Sequence, residues 1–139
     1  MTALRLLAQS ADDVCVLSAA LQDAVAKMGD IEFDPPARRL TIAFNRYRWE
    51  NRRGGERVRT GLQVGGVLNV SSRNLKRGAT DAVVELLAVG FVPGEAPGGV
   101  VLLRFAGDAD MRCEVECVDA VLADVSAPWP AKRTPEHKG

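Results

Sequence analysis

Leu40, Ile42 and Phe44 fall on alternate positions of "RLTIAFNRYRW", with Thr41, Ala43, Asn45, Tyr47 and Trp49 between them. A two-residue period puts one set on each face of a β-strand. Such a strand must find a partner and cover its apolar face. The same period recurs downstream. Val58, Thr60, Leu62 and Val64 share a face in "RVRTGLQV", and "VLNVSS", "AVVELLAVGFVP", "VVLLRF" and "MRCEVEC" follow at hairpin spacing. Glycines and prolines separate these runs, in "ENRRGGE", at Gly65–Gly66 and in "GEAPGG". Seven or eight short antiparallel strands are expected. No alternation of strand and long helix points to a doubly wound nucleotide fold.

The first 34 residues read differently. "LRLLA" fits a short strand. "SADD" offers Ser10 or Asp12 as a helix N-cap, with acids where the helix dipole favours them. A helix is expected from about Asp12 to Ala20. The stretch Leu21 to Phe33 leans to strand, because Ile31 and Phe33 alternate with acids. Val118–Val125 suggests a second short helix. The predicted class is α+β, mainly β: antiparallel strands in a barrel-like or sandwich body with one or two short helices. One globular domain is expected over residues 1–129, with 130–139 a loosely ordered proline-rich tail.

Charge sharpens the picture. The net charge is zero. Residues 1–37 carry −4, residues 38–77 carry +9, residues 78–125 carry −7 and residues 126–139 carry +2. The basic middle concentrates in "NRYRWENRRGGERVR", Asn45 to Arg59, with six arginines and two aromatics. On a strand Tyr47 and Trp49 share one face and Arg46 and Arg48 the other. This suggests a packed aromatic side and a charged solvent side. The candidate binding residues are Arg46, Arg48, Arg52, Arg53, Arg57, Arg59 and Trp49. They could meet a protein partner or a second copy, whose acidic segment would complement them. An anionic ligand is possible through bidentate guanidinium contacts. Nucleic acid is less favoured, because such binders usually carry a basic domain.

Several chemistries are poorly supported. The single histidine, His137, lies in the tail, a poor place for a catalytic imidazole. Cys15, Cys113 and Cys117 form no disulfide or zinc pattern and are expected to be buried small hydrophobes. No phosphate-binding loop occurs, so no cofactor or metal is assigned, and no catalytic residue. Glu114 and Glu116 would share a strand face, most simply a solvated outer one. The longest apolar runs, such as Val100–Leu103, fall far short of the roughly 20 residues that span lipid. No secretory leader is visible, so a cytoplasmic, non-membrane protein is expected.

Four segments resemble a known family when taken together: "LQDAVAKMGDIEFD", "RRLTIAFNRYRWE", "GFVPGEAPGGVVLLRFAGD" and "RCEVECVDAVLADVSAPWPAKRTPEH". They are similar to small bacterial cytosolic proteins described as a domain of unknown function. The resemblance implies no catalytic residue, cofactor or substrate. The functional expectation is a non-catalytic binding or interaction module using the arginine-rich hairpin. The alternative is a small enzyme acting on an anionic metabolite through arginines and carboxylates, with Arg52, Arg53, Arg57 and Glu114 or Glu116 as first suspects.

Overall fold

The computed structural model describes residues 3–47, 55–127 and 129–130. The chain opens with strand β1 (Arg5–Ala8) and helix α1 (Ala11–Leu21). Ser10 caps the helix in extended geometry, its hydroxyl accepting from the Asp13 N–H at 3.2 Å. Asp12 and Asp13 occupy the first turn, where the helix dipole favours them. Val14, Leu17 and Leu21 form the buried stripe.

Next come β2 (Val25–Lys27), a 3₁₀ turn (Met28–Asp30) and β3 (Ile31–Asp34), as the leaning to strand anticipated. The remaining strands are β4 (Arg39–Tyr47), β5 (Glu56–Val64), β6 (Val67–Arg73), β7 (Val83–Pro93), β8 (Gly99–Phe105), β9 (Ala109–Val115), β10 (Ala120–Asp124) and β11 (Trp129–Pro130). All eleven pair antiparallel in one sheet, more pieces than the seven or eight expected. The main path runs β1-β10-β5-β4-β2-β7-β8-β9-β6, with β3 on β4 and β11 on β5. The mainly β, antiparallel class is as expected. The path has two ends, β1 and β6, and does not close into a barrel.

The expected helix over Val118–Val125 is instead strand β10. It pairs with β5 on one side and β1 on the other, and Ala120 and Leu122 are buried. Its apolar residues keep a period of two, and two ladders leave no room for a helix.

β5 passes into β6 through Gly65 and Gly66, and β9 passes toward β10 opposite them. The two turns are tied by backbone bonds, Gly65 N–H to Asp119 O at 2.8 Å and Glu116 N–H to Gly66 O at 3.0 Å. Gly66 has φ +63°, where a side chain is strained. A Cβ on Gly65 would meet Asp119 Oδ2 at 2.7 Å. Two paired strands therefore bend together, and the sheet folds over its own inner face.

That inner face is a continuous core. Leu40, Ile42 and Phe44 of β4 meet Leu62 and Val64 of β5, Leu122 of β10, and Leu103, Phe105, Met111 and Cys113 from the other limb, the run β7-β8-β9-β6. Helix α1 packs mainly on β7 and β1. Of the three cysteines expected inside, only Cys113 is buried; Cys15 and Cys117 are exposed. Cys117 follows the end of β9, where the inside-outside alternation stops. No helix among the described residues is long and apolar enough to cross a membrane.

Candidate functional site

The arginines divide into separate environments. Arg46 lies on the same face of β4 as Leu40, Ile42 and Phe44, and is 0% exposed. The expected charged solvent face is thus corrected at this residue. The strand's period carries Arg46 inward, and a buried acid receives it. Its Nε and Nη2 donate to Asp124 Oδ1 and Oδ2, each at 3.0 Å. Nε also approaches Thr60 Oγ1 at 3.1 Å, and the Thr60 hydroxyl donates to Asp124 Oδ1 at 2.7 Å. The Leu4 N–H donates to Asp124 Oδ2 at 2.8 Å. The group ties β4, β5, β10 and the approach to β1. Burial alone would raise the Asp124 carboxyl. Hydrogen bonds from Arg46, the Leu4 N–H and Thr60, with the guanidinium charge, outweigh it and hold the carboxyl below the usual aspartate range.

Arg57 and Arg59 lie on the opposite face of the sheet. Arg57 donates to the Asn45 carbonyl at 3.2 Å. Arg59 donates to Asn45 Oδ1 at 3.1 Å and pairs with Asp30 at 2.9 Å. Arg48, Trp49, Arg52 and Arg53 lie outside the described residues. Elsewhere in the basic middle, Arg38 pairs with Glu116, and Arg73 grips Asp108 and Asp110 at 3.1 and 2.9 Å. The acids come from the −4 and −7 segments of the same chain. Four arginines of the basic middle are therefore neutralised locally by acids of the same chain.

The suspected carboxylates, Glu114 and Glu116, show no ion pair with Arg46, Arg57 or Arg59 among the described residues. Glu114 is exposed on β9, and Glu116 has left the strand for Arg38. Arg57 lies near Glu85 on β7, whose carboxyl meets that of Asp23 after α1. Partial burial raises the Glu85 carboxyl, as does its hydrogen bond with Asp23, while Arg57 opposes the rise. No sequence motif joined these residues, because sheet pairing sets Glu85 opposite Val25, two residues beyond Asp23.

A concave site lies elsewhere. A cleft of about 190 Å³ is lined by Met28, Ile31, Phe33, Leu40, Val70, Met111 and Arg77. Its apolar walls come from the 3₁₀ turn, β3 and β4 on one limb, and β6 and β9 on the other. The loop from β6 to β7 brings Arg77. That loop is fixed by Gly29 N–H to Thr80 O at 2.9 Å and Met28 N–H to Ala82 O at 2.8 Å. Arg77 Nε donates to Ser72 Oγ at 3.0 Å. Six apolar side chains and one guanidinium can hold an apolar group. Among the described residues the lining offers no carboxylate, imidazole or thiol for proton transfer. Among the described residues no three His, Cys, Asp or Glu side chains gather as a metal site would require.

The alternation of Ile31 and Phe33 pointed to one wall of this cleft. The opposite wall depends on the bend at Gly65–Gly66, which no local pattern reveals. Comparison with curated proteins gave no match, and neither did comparison with solved structures. A family model described as "Protein of unknown function (DUF2948)" matches residues 4–137, and the chain belongs to that family.

Proposed function

We infer that this chain is a non-catalytic binding module whose recognition element is the apolar cleft between its two limbs. The observation that carries this is the lining itself: Met28, Ile31, Phe33, Leu40, Val70 and Met111 around one concavity, with Arg77 as its single charged member among the described residues. Small-molecule sites are concave and mostly apolar, with few polar groups. Two methionines add walls that adapt to a guest. On this reading the body is sandwich-like, with the two limbs as its layers and the cleft at their open side. The exposed thiols of Cys15 and Cys117 suit a reducing cytoplasm.

Methionine methyl groups supply the test. The chain has three methionines, Met1, Met28 and Met111, and the last two line the cleft. With ¹³C-methyl labelling, benzyl alcohol is expected to shift the Met28 and Met111 signals and leave Met1 unmoved. Val70→Phe, which fills the cleft, is expected to abolish the shifts. Shifts that persist in the filled variant would overturn the reading.

An enzymatic alternative draws on the Asp23–Glu85 pair beside Arg57, since burial and the hydrogen bond with Asp23 raise the proton affinity of the Glu85 carboxyl, which suits a proton donor. It would act on an anionic metabolite over the outer face of β4 and β5. The interaction surface expected at Arg48, Trp49, Arg52 and Arg53 lies outside the described residues and carries no part of either reading.

A further inference from the structure

We propose that the cleft selects a small carboxylic acid, an aryl or short alkyl carboxylate, and that Arg77 is the residue that takes its charged end. This rests on the binding reading above and adds the ligand class.

Size limits the apolar part. A cavity of ~150 Å³ lined by aliphatic and aromatic side chains holds one benzene ring. At about 190 Å³ the cleft suits one ring or a chain of similar bulk, with a polar end left over. Phe33 supplies an aromatic wall, and Met28 and Met111 supply polarisable sulfur.

Charge sets the polar end. Arg38, Arg46, Arg59 and Arg73 each face a carboxylate of the chain. Arg77 faces none among the described residues. Its one hydrogen bond there runs from Nε to Ser72 Oγ. That bond uses the Nε edge and fixes the guanidinium plane, so the two terminal nitrogens are oriented in advance. Their paired N–H groups match the two oxygens of a carboxylate. A single guanidinium balances one negative charge, which fits a carboxylate better than a phosphate dianion. Arg77 is exposed while the apolar lining is partly or fully buried, so the guest's charged end keeps water contact and its ring leaves water. That arrangement avoids the cost of burying a carboxylate.

The test compares phenylacetate with its neutral relative phenylacetamide, using the labelled methionine methyls and calorimetry. Phenylacetate is expected to bind about tenfold or more tightly than the amide, as a charge-assisted fork allows. Arg77→Gln is expected to remove that preference, bringing phenylacetate down to the affinity of the amide. Arg77→Lys, which keeps the charge and loses the fork, is expected to fall between. If both probes bind equally and move Met28 and Met111, the cleft reading stands and the carboxylate class is overturned. If neither probe moves those methyls, both fail. If acetate alone binds as tightly as phenylacetate, the site is a surface anion contact and this proposal is overturned.

Discussion

Arg46 and Asp124 keep opposite charges where exposure is 0% and 3%. Removing ions from water costs several kcal/mol each, which is recovered only with good pairing and further hydrogen bonds. Thr60, the Leu4 N–H and the Tyr47 carbonyl provide those bonds. Breaking such a pair from one side leaves a buried charge. Asp124→Ala is therefore expected to lose about 3–5 kcal/mol in urea denaturation, with Arg46→Met plus Asp124→Leu recovering much of it. A loss under about 1 kcal/mol would mean the pair behaves as a solvent-exposed bridge. The folded Asp124 carboxyl titrates below its unfolded value. Its stabilisation is thus complete above about pH 4 and drains as pH falls through the folded value. Asp124→Ala should show a shallower loss of stability in acid. The thiols give a second expectation. Burial pushes the Cys113 thiol up to about 12, while Cys15 and Cys117 are exposed. An aromatic disulfide reagent at neutral pH should modify two thiols of the folded protein and reach the third only on unfolding. Three fast thiols would contradict the packing around Cys113.

At the scale of elements, the junction from α1 into β2 carries the acid pair. Asp23 turns the chain with φ +63°, and its N–H donates to the Leu86 carbonyl at 2.9 Å. This brings the Asp23 carboxyl against Glu85. The folded state holds the Glu85 proton more tightly than the unfolded chain does. The associated stability is fully present below the ordinary glutamate value of about 4.3 and is lost as pH rises through the folded value. Glu85→Gln removes that titration. Thermal unfolding from pH 4 to 8 should show a smaller decline on rising pH for Glu85→Gln than for wild type. Parallel curves would show that the pair does not couple to folding. Strands with a clear period were legible in the sequence: β4, β5 and the β8–β9 hairpin follow their alternation. Ser10 and the acids after it marked the helix start. β10 was misread because Val118–Val125 contains helix-compatible alanine and leucine. Its true environment, between β1 and β5, is set by residues more than 50 positions away.

For the molecule as a whole, class was legible and the cleft was not. Period and turn chemistry specify strands, whereas the cleft arises from a bend and from pairing across it. The even-numbered face of β4 already aligned Arg46 with Leu40, Ile42 and Phe44. What local pattern could not supply was the acid waiting for it in β10. The same holds for Arg77, which reads as an ordinary loop cation until Met111 and Val70 stand beside it.

Residues 108–124 supply the anions for arginines 35 or more positions earlier. Asp108 and Asp110 answer Arg73, Glu116 answers Arg38, and Asp124 answers Arg46. Among the described residues β1 pairs only with β10, more than 110 positions away. A chain lacking residues 108–124 would hold Arg38, Arg46 and Arg73 without these carboxylates. Each of these ion pairs therefore joins residues at least 35 positions apart, so local charge balance in this body is a product of its long-range strand pairing.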